Sequence, residues 1–356
     1  MGSGMEGPDG IAWEIVRDDG GLDRLAPEWA TLNARCGAEG FFSRMEVVRA
    51  NWDRHRKDPR TTLHVLAIRL HGRLVMGLPM VKRRDRLGPH SLYWLDSRTP
   101  FYDGLLLDPD MDTAMAARVF TRFLHSSWTR RLLKIGFVHG GSALHRVLDA
   151  AGLPLVHRTA APSLDTSAFP TWDAYLAAMS AKRRQQFGNF GRRLQKAGAG
   201  PVHLVTDPQE RSAEIARLFA RKRQWVQDHE LSDWIVPPET EIWFQRVAAE
   251  EDARNRTHLL RLRSDHAWIA SILCFEREGT IFLSKMAHNP DWERFSPGWV
   301  LLVEMVRFAI ERKLSTVDFM IGGSPWKDRL SDRPGETFTC RASLLPWHRA
   351  RRQALP

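Results

Sequence analysis

The sequence predicts a mixed α/β protein built from two tandem units, each a mixed, mostly antiparallel sheet flanked by helices. Its 356 residues exceed the usual span of one domain. In each half, meandering strand patterns come before a helix and one further strand, unlike a run of βαβ repeats. The same order of elements occurs twice, as a duplication would leave it.

In the first half an apolar strand at 13–16 leads to helices at 22–35 and 43–56. Ser43 is the expected cap of the second, with Glu46 three residues on. Strands follow at 63–70 and 74–82, joined by the hairpin signal His71-Gly72. Further strands fit 92–96 and 104–107, then a helix at 112–123, a strand at 132–138 and a helix from about 142. In the second half, helices fit 172–177, 182–196, 211–227 and 239–250, and strands fit 258–262, 268–276 and 280–286. A helix at 297–311 and a strand at 316–321 complete it. Gly140-Gly141-Ser142 and Gly322-Gly323-Ser324 each close a strand before a helix, the clearest local sign of the repeat. Pro162, Ser163 and Pro170 punctuate the chain between the copies. The expected division is a disordered lead at 1–10, an N-terminal unit at 11–165 and a C-terminal unit at 166–356.

Composition narrows the function. With 43% hydrophobic and 26% charged residues the chain buries ordinary cores, which excludes disordered and fibrous classes. The net charge of +10 favours anionic partners: nucleic acid, acidic lipid or the phosphates of a cofactor. Cys36, Cys274 and Cys340 are odd in number and far apart, which argues for a reducing compartment, the cytoplasm. Neither a signal peptide nor a membrane span is expected, since Glu304 and Arg307 interrupt the most apolar helix. Cys-x-x-Cys and His-Glu-x-x-His patterns are absent, so no metal is expected. The glycine pairs lack the lysine of a P-loop, and no Gly-x-Ser-x-Gly elbow occurs.

The segment Arg294-Phe295-Ser296-Pro297-Gly298-Trp299-Val300 is the most informative. Ser296 suits an N-cap and Pro297 a first helical residue, while Gly298 lets a ligand reach the backbone. The free N–H groups and positive helix end would cradle a pyrophosphate; a plain helix start is the alternative. On the helix at 181–196, Lys182, Arg183, Arg184, Arg192 and Arg193 form either a solvated basic face or an anion patch. Acyl transfer to an amine needs a proton acceptor and charge stabilisation. Asp318, within the strand after the cofactor helix, and His288, on the loop before it, are the candidate bases, and Lys327 is a candidate anion binder. Lys285, Trp225 and Trp326 are expected on the substrate side.

Ser296-Pro-Gly-Trp-Val-Leu-Leu, Asp318-Phe-Met-Ile-Gly-Gly, Trp326-Lys327, the basic run from Ser180 and Arg221-Lys-Arg-Gln-Trp225 together resemble the CelD-like subgroup of GCN5-related N-acetyltransferases (GNAT), relatives of the FemAB-type peptidyltransferases. The resemblance is closest over 180–329. It implies a double GNAT fold and transfer of an acyl group, acetyl first, from acyl-CoA to a primary amine of a small molecule or saccharide. The second unit would carry donor and chemistry, and the first would serve as scaffold and acceptor wall. The resemblance also implies that Asp103, beside Tyr102, meets the incoming amine. Two departures stand out: the Arg/Gln-x-x-Gly-x-Gly/Ala loop is reduced to 294–298, and Trp326 replaces a common tyrosine, removing a phenol as acid. Two alternatives follow from the basic helix and charge: an aminoacyl-tRNA donor, as in FemAB-type enzymes, or a non-catalytic binder of anionic polymer.

Overall fold

The structure is a computed structural model that describes residues 10–84, 90–95, 101–125, 130–230 and 237–343. Residues 1–9 of the expected lead, Asp96 of one expected strand, and 344–356 lie outside the described residues. The chain divides into two units, Met1–Ala160 with Gly335–Pro356, and Ala161–Pro334.

The first stretch runs β1 (Ile11–Val16), α1 (Asp19–Asn33), α2 (Met45–His55), β2 (Thr61–Leu63), β3 (Val65–Leu70), β4 (Arg73–Leu78), β5 (Met80–Arg84) and β6 (His90–Trp94). It continues with β7 (Leu106–Leu107), α3 (Thr113–His125), β8 (Arg130–His139), α4 (Ala143–Ala150) and β9 (Leu155–Ala160). Then come β10 (Ser163–Asp165), α5 (Trp172–Ala178), α6 (Ala181–Lys196), β11 (His203–Leu204), α7 (Pro208–Asp228) and α8 (Pro238–Ala249). The last are β12 (Asn255–Arg263), β13 (Trp268–Arg277), β14 (Thr280–His288), α9 (Pro297–Glu311), β15 (Thr316–Asp318), α10 (Pro325–Leu330) and β16 (Glu336–Ser343).

The first unit has a sheet β1-β3-β4-β7 and a second sheet β2-β5-β6-β8-β16-β9; the other unit has one sheet, β10-β15-β14-β13-β12-β11. Each unit contains one parallel pair among the described residues, β6 with β8 and β14 with β15. The mixed, mostly antiparallel architecture is the one the sequence predicts.

Local chemistry explains the turns and one break. His71 and Gly72 both have positive φ, 49° and 78°, the geometry of a two-residue hairpin whose twist matches its strands. The expected strand at 74–82 is split at Pro79, which has no N–H for a ladder. Its carbonyl accepts the Leu95 N–H at 3.0 Å, and β5 passes to the second sheet. Ser43 does not cap α2. The cap position is Arg44, without a side-chain hydrogen bond. Ser43 is wholly buried instead, and its carbonyl accepts the Trp29 indole N–H at 2.7 Å. Ser142, by contrast, does cap α4, accepting the His145 N–H.

The division differs from the expected 11–165 and 166–356 in two ways. Residues 336–343 leave the second stretch and enter the first unit between β8 and β9, where Cys340 meets Ile135 on one side and Leu155 on the other. Cys340 and Ala342 join a core containing Leu133, Ile135 and Val138. Ser163–Asp165, expected in the N-terminal unit, instead closes the edge of the other unit beside β15. The sheet of that unit carries α9 on one face, its Leu301, Val303 and Met305 packed on Ile272, Cys274 and Ile281. No helix among the described residues is long and apolar enough to cross a membrane.

Trp29 fixes how α1 lies on β4. A Cβ on Gly77 would come within 2.5 Å of its ring. Gly77→Ala should therefore lower the unfolding free energy by about 1–3 kcal/mol, the range of overpacked cores. Urea denaturation reads this directly, and unchanged stability would mean that the Trp29 ring has room to yield.

Candidate functional site

The parallel pair of the second unit is short. Thr280, Ile281 and Phe282 pair with Thr316, Val317 and Asp318, and there β15 ends. β14 runs on to His288, paired with β13 along its other edge. The sheet therefore forks, and among the described residues no strand lies beside the edge of β14 after Phe282.

Asp318 and Lys327 make the fork. Asp318 Oδ1 accepts the Met320 N–H at 2.7 Å, and Lys327 Nζ donates to the Met320 and Ile321 carbonyls, each at 2.9 Å. Both side chains thus hold Met320, which takes the left-handed φ of 59° and turns the chain off the strand. The expected strand at 316–321 stops at Asp318 for this reason. Both residues are buried, at 7% and 6% exposure, so they sit inside the fork's apex rather than on an open face. Burial pushes the Lys327 ammonium down to about 8, against the pull of Asp318 and Asp328. Trp326, half-buried, packs edge-on against Phe319 at the margin of the core.

Two residues beyond the apex, β14 bulges. The register steps from Cys274 opposite Leu283 to Leu273 opposite Lys285, leaving Ser284 over. The Ser284 hydroxyl is buried, with no hydrogen-bond partner among the described residues. Lys285 Nζ donates to the Ser284 carbonyl at 2.7 Å and lies 5.4 Å from the Phe244 ring.

Further along, the start of α9 rests on β14. A Cβ on Gly298 would stand 3.3 Å from Met286 Cε. Pro297 is the first helical residue, as expected, but Ser296 is left-handed and its side chain does not cap. Its carbonyl accepts the Trp299 and Val300 N–H groups at 3.1 and 3.3 Å, and its own N–H goes to Glu293. Of the expected cradle at 296–300, this leaves the Gly298 amide, in the first turn where helices have no internal acceptor. Trp299 adds a second donor, its buried indole N–H having no partner among the described residues. Two guanidiniums approach the Phe295 ring, Arg294 at 4.8 Å and Arg193 at 5.9 Å.

His288 ends β14, and burial lowers its pKa, with Lys222 and Arg221 acting in the same direction and Glu293 opposing. It lies four residues from the bulge, roughly 13 Å along an extended strand. Trp225, on the same face of α7 as Arg221 and Lys222, is 39% exposed and stacks on His229. These groups belong to the far end of the fork. The basic residues of α6 divide. Arg184 holds the carbonyls ending α5, Arg183 holds that of Arg329, and Arg193 that of Arg294. Lys182 and Arg192 line a shallow groove with Asn189 and Lys196.

Asp103 and Tyr102 are not on a surface for an amine. Asp103 is 2% exposed, and its Oδ2 accepts the Gly136 and Phe137 N–H groups at 2.6 and 3.1 Å. Its N–H returns to the Phe137 carbonyl at 3.0 Å. Burial pushes its carboxyl up to about 7 despite those bonds. Tyr102 is buried between Phe42 and His139. The pairing of β6 with β8 reaches only Tyr93 and Lys134, and the next stretch of β8 is occupied by this segment. In the first unit the chain fills its own fork.

Against this geometry, residues 181–328 match the acetyltransferase (GNAT) domain family. The structure of FemX matches at 11% identity and TM-score 0.55, over 85% of this chain and 93% of that one. The C-terminal domain of a candidate lysylphosphatidylglycerol synthetase from Agrobacterium fabrum matches at 11% identity and TM-score 0.56, over 93% of this chain and 95% of that one. A tandem GNAT protein from the clavulanic acid biosynthesis pathway matches at 15% identity and TM-score 0.47, over 94% and 99%. No curated protein matches the chain.

The Lys327 ammonium supplies a test of the apex. It releases its proton at about 8 when folded, against 10.5 ordinarily. Between those values the unfolded chain binds more protons, so stability rises with pH across that window. Urea midpoints from pH 8 to 10 should climb in wild type relative to Lys327→Met; parallel profiles would place Lys327 in water.

Proposed function

We propose, from a chain whose residues 181–328 belong to the GNAT acetyltransferase family, that it is an N-acyltransferase using acyl-CoA, acetyl-CoA first, as donor. The acceptor is a primary amine of a small molecule or saccharide. The observation that carries the reading is the fork of the second unit, a strand edge that no other described strand covers and that ends near a helix start.

Each part of an acyl-CoA has a counterpart there. The amide-bearing pantetheine is an extended chain, and such chains add to a free strand edge through main-chain hydrogen bonds. The pyrophosphate meets the Gly298 amide, the Trp299 indole and the positive helix end, with Arg193 and Arg294 alongside. Laid this way, the thioester falls near the Ser284 bulge and the apex. Asp318, or a water it orders, takes the proton of the amine. Lys327, lowered to about 8, is tuned to stabilise or protonate the departing thiolate. His288 lies at the phosphate end, too far from the thioester to serve as base. The first unit, its fork filled by Asp103, serves as scaffold. The cysteines, all free, suit the cytoplasm.

One feature supports a second reading with an aminoacyl-tRNA donor: the α6 groove with Lys182, Arg192 and Lys196. Salt-sensitive tRNA binding that displaces CoA would favour it. Titration with acetyl-CoA decides the main reading. Gly298→Glu adds a carboxylate at the helix start, and the Cβ meets only the flexible end of Met286. Wild type should bind, and the variant should bind at least about tenfold more weakly, a loss near 1.4 kcal/mol. Equal affinity would remove this site from the reaction.

A further inference from the structure

The first unit contains a second concave site that the proposed reaction leaves unused. A cavity of about 380 Å³ opens on one face of its larger sheet, lined by Thr61, Arg83, Tyr93, Lys134 and Thr339, with His55 at the end of α2. The strand register explains why these residues meet. Thr61 lies opposite Arg83, Val81 opposite Tyr93, and Tyr93 opposite Lys134. Residues directly opposite share a face, as do residues two apart along a strand, so Arg83 and Lys134 project to the same side.

That face concentrates positive charge. Lys134 is also directly opposite Arg341 on β16. Like charges in that relation weaken strand pairing, so the pair costs the sheet stability unless an anion offsets it. No carboxylate lines the cavity among the described residues. Asp58, 3.7 Å from Arg83, is also bound to Arg60. Asp103 is outside the lining, one oxygen committed to the N–H groups of Gly136 and Phe137, which do line the cavity. His55 is fixed by a 2.9 Å contact between its Nε2 and the Leu95 carbonyl. The Thr61 and Thr339 hydroxyls donate to Asp58 and to the Gly136 carbonyl, and the guanidinium, the ammonium and the Tyr93 hydroxyl can each donate to a ligand.

We propose that this cavity binds the phosphate or carboxylate group of a small molecule, held between Arg83 and Lys134 with Tyr93 as neutral donor. The volume suits a small molecule. The site is independent of the donor fork in the other unit, so it stands or falls separately from the acyltransferase reading.

Isothermal titration of the full chain with glycerol 3-phosphate and with glutarate, at matched ionic strength, tests it. At least one probe should bind one to one, and Arg83→Gln and Lys134→Gln should each weaken it about tenfold or more. Lys134→Arg, which keeps the charge, should retain binding and so separates loss of the site from loss of fold. Lys182→Gln, in the other unit, should also retain it. Preference for glycerol 3-phosphate identifies a phosphate ester as ligand, and preference for glutarate identifies a carboxylate. Absence of binding by both probes at millimolar concentration overturns the proposal. So does binding that both glutamine variants leave intact, or that Lys182→Gln weakens as much as Lys134→Gln.

Discussion

The left-handed turn at Met320 is the constraint on which the site depends. Parallel strands stay paired only while both run straight, and Met320 turns one of them away after three residues. A non-glycine residue in this conformation is strained and persists because its surroundings hold it. Here Asp318 takes its N–H and Lys327 takes its carbonyl. The two residues that look most catalytic in the sequence are therefore first of all the clamp that opens the sheet. Any chemistry they perform uses groups already placed by that duty.

The two units solve the same topological problem in opposite ways. Each has a short parallel pair followed by a strand-Gly-Gly-Ser-helix sequence. In one, no described strand lies beside β14 beyond the pair; in the other, Asp103 binds the Gly136 and Phe137 amides of β8 beyond the pair. Burying that carboxylate is costly, and its raised pKa measures the cost. A filled fork stabilises a scaffold, and an open one leaves room for a donor. Strand β16 ties the chain end back into the filled unit, so the division follows packing rather than sequence order.

What the sequence reveals is set by how local the signal is. The His71-Gly72 turn, the helix beginning at Pro297 and the helix after Gly140-Gly141-Ser142 depend on one to four residues, and each is found where its residues indicate. Ser43 looked like a cap because Glu46 follows it, but burial beside Trp29 outweighed that local preference. The bulge at Ser284 was invisible, since an extra residue in a strand changes register without changing composition. The burial of Asp103, expected by resemblance to meet an amine, is not legible in the sequence because its partners lie more than thirty residues away. Pairing of β16 with β8 is more distant still, and only the apolar Phe338, Cys340 and Ala342 alternation hinted at a strand.

The account turns on one asymmetry, that the fork of the second unit is open to a donor while the fork of the first unit is filled by Asp103. Amide hydrogen exchange with and without CoA measures both edges in one experiment. Exchange should slow at residues 283–288 and at Gly298 when CoA is added, with Gly136 and Phe137 unchanged. Protection confined to 134–138, or none at 283–288 under saturating CoA, would contradict it.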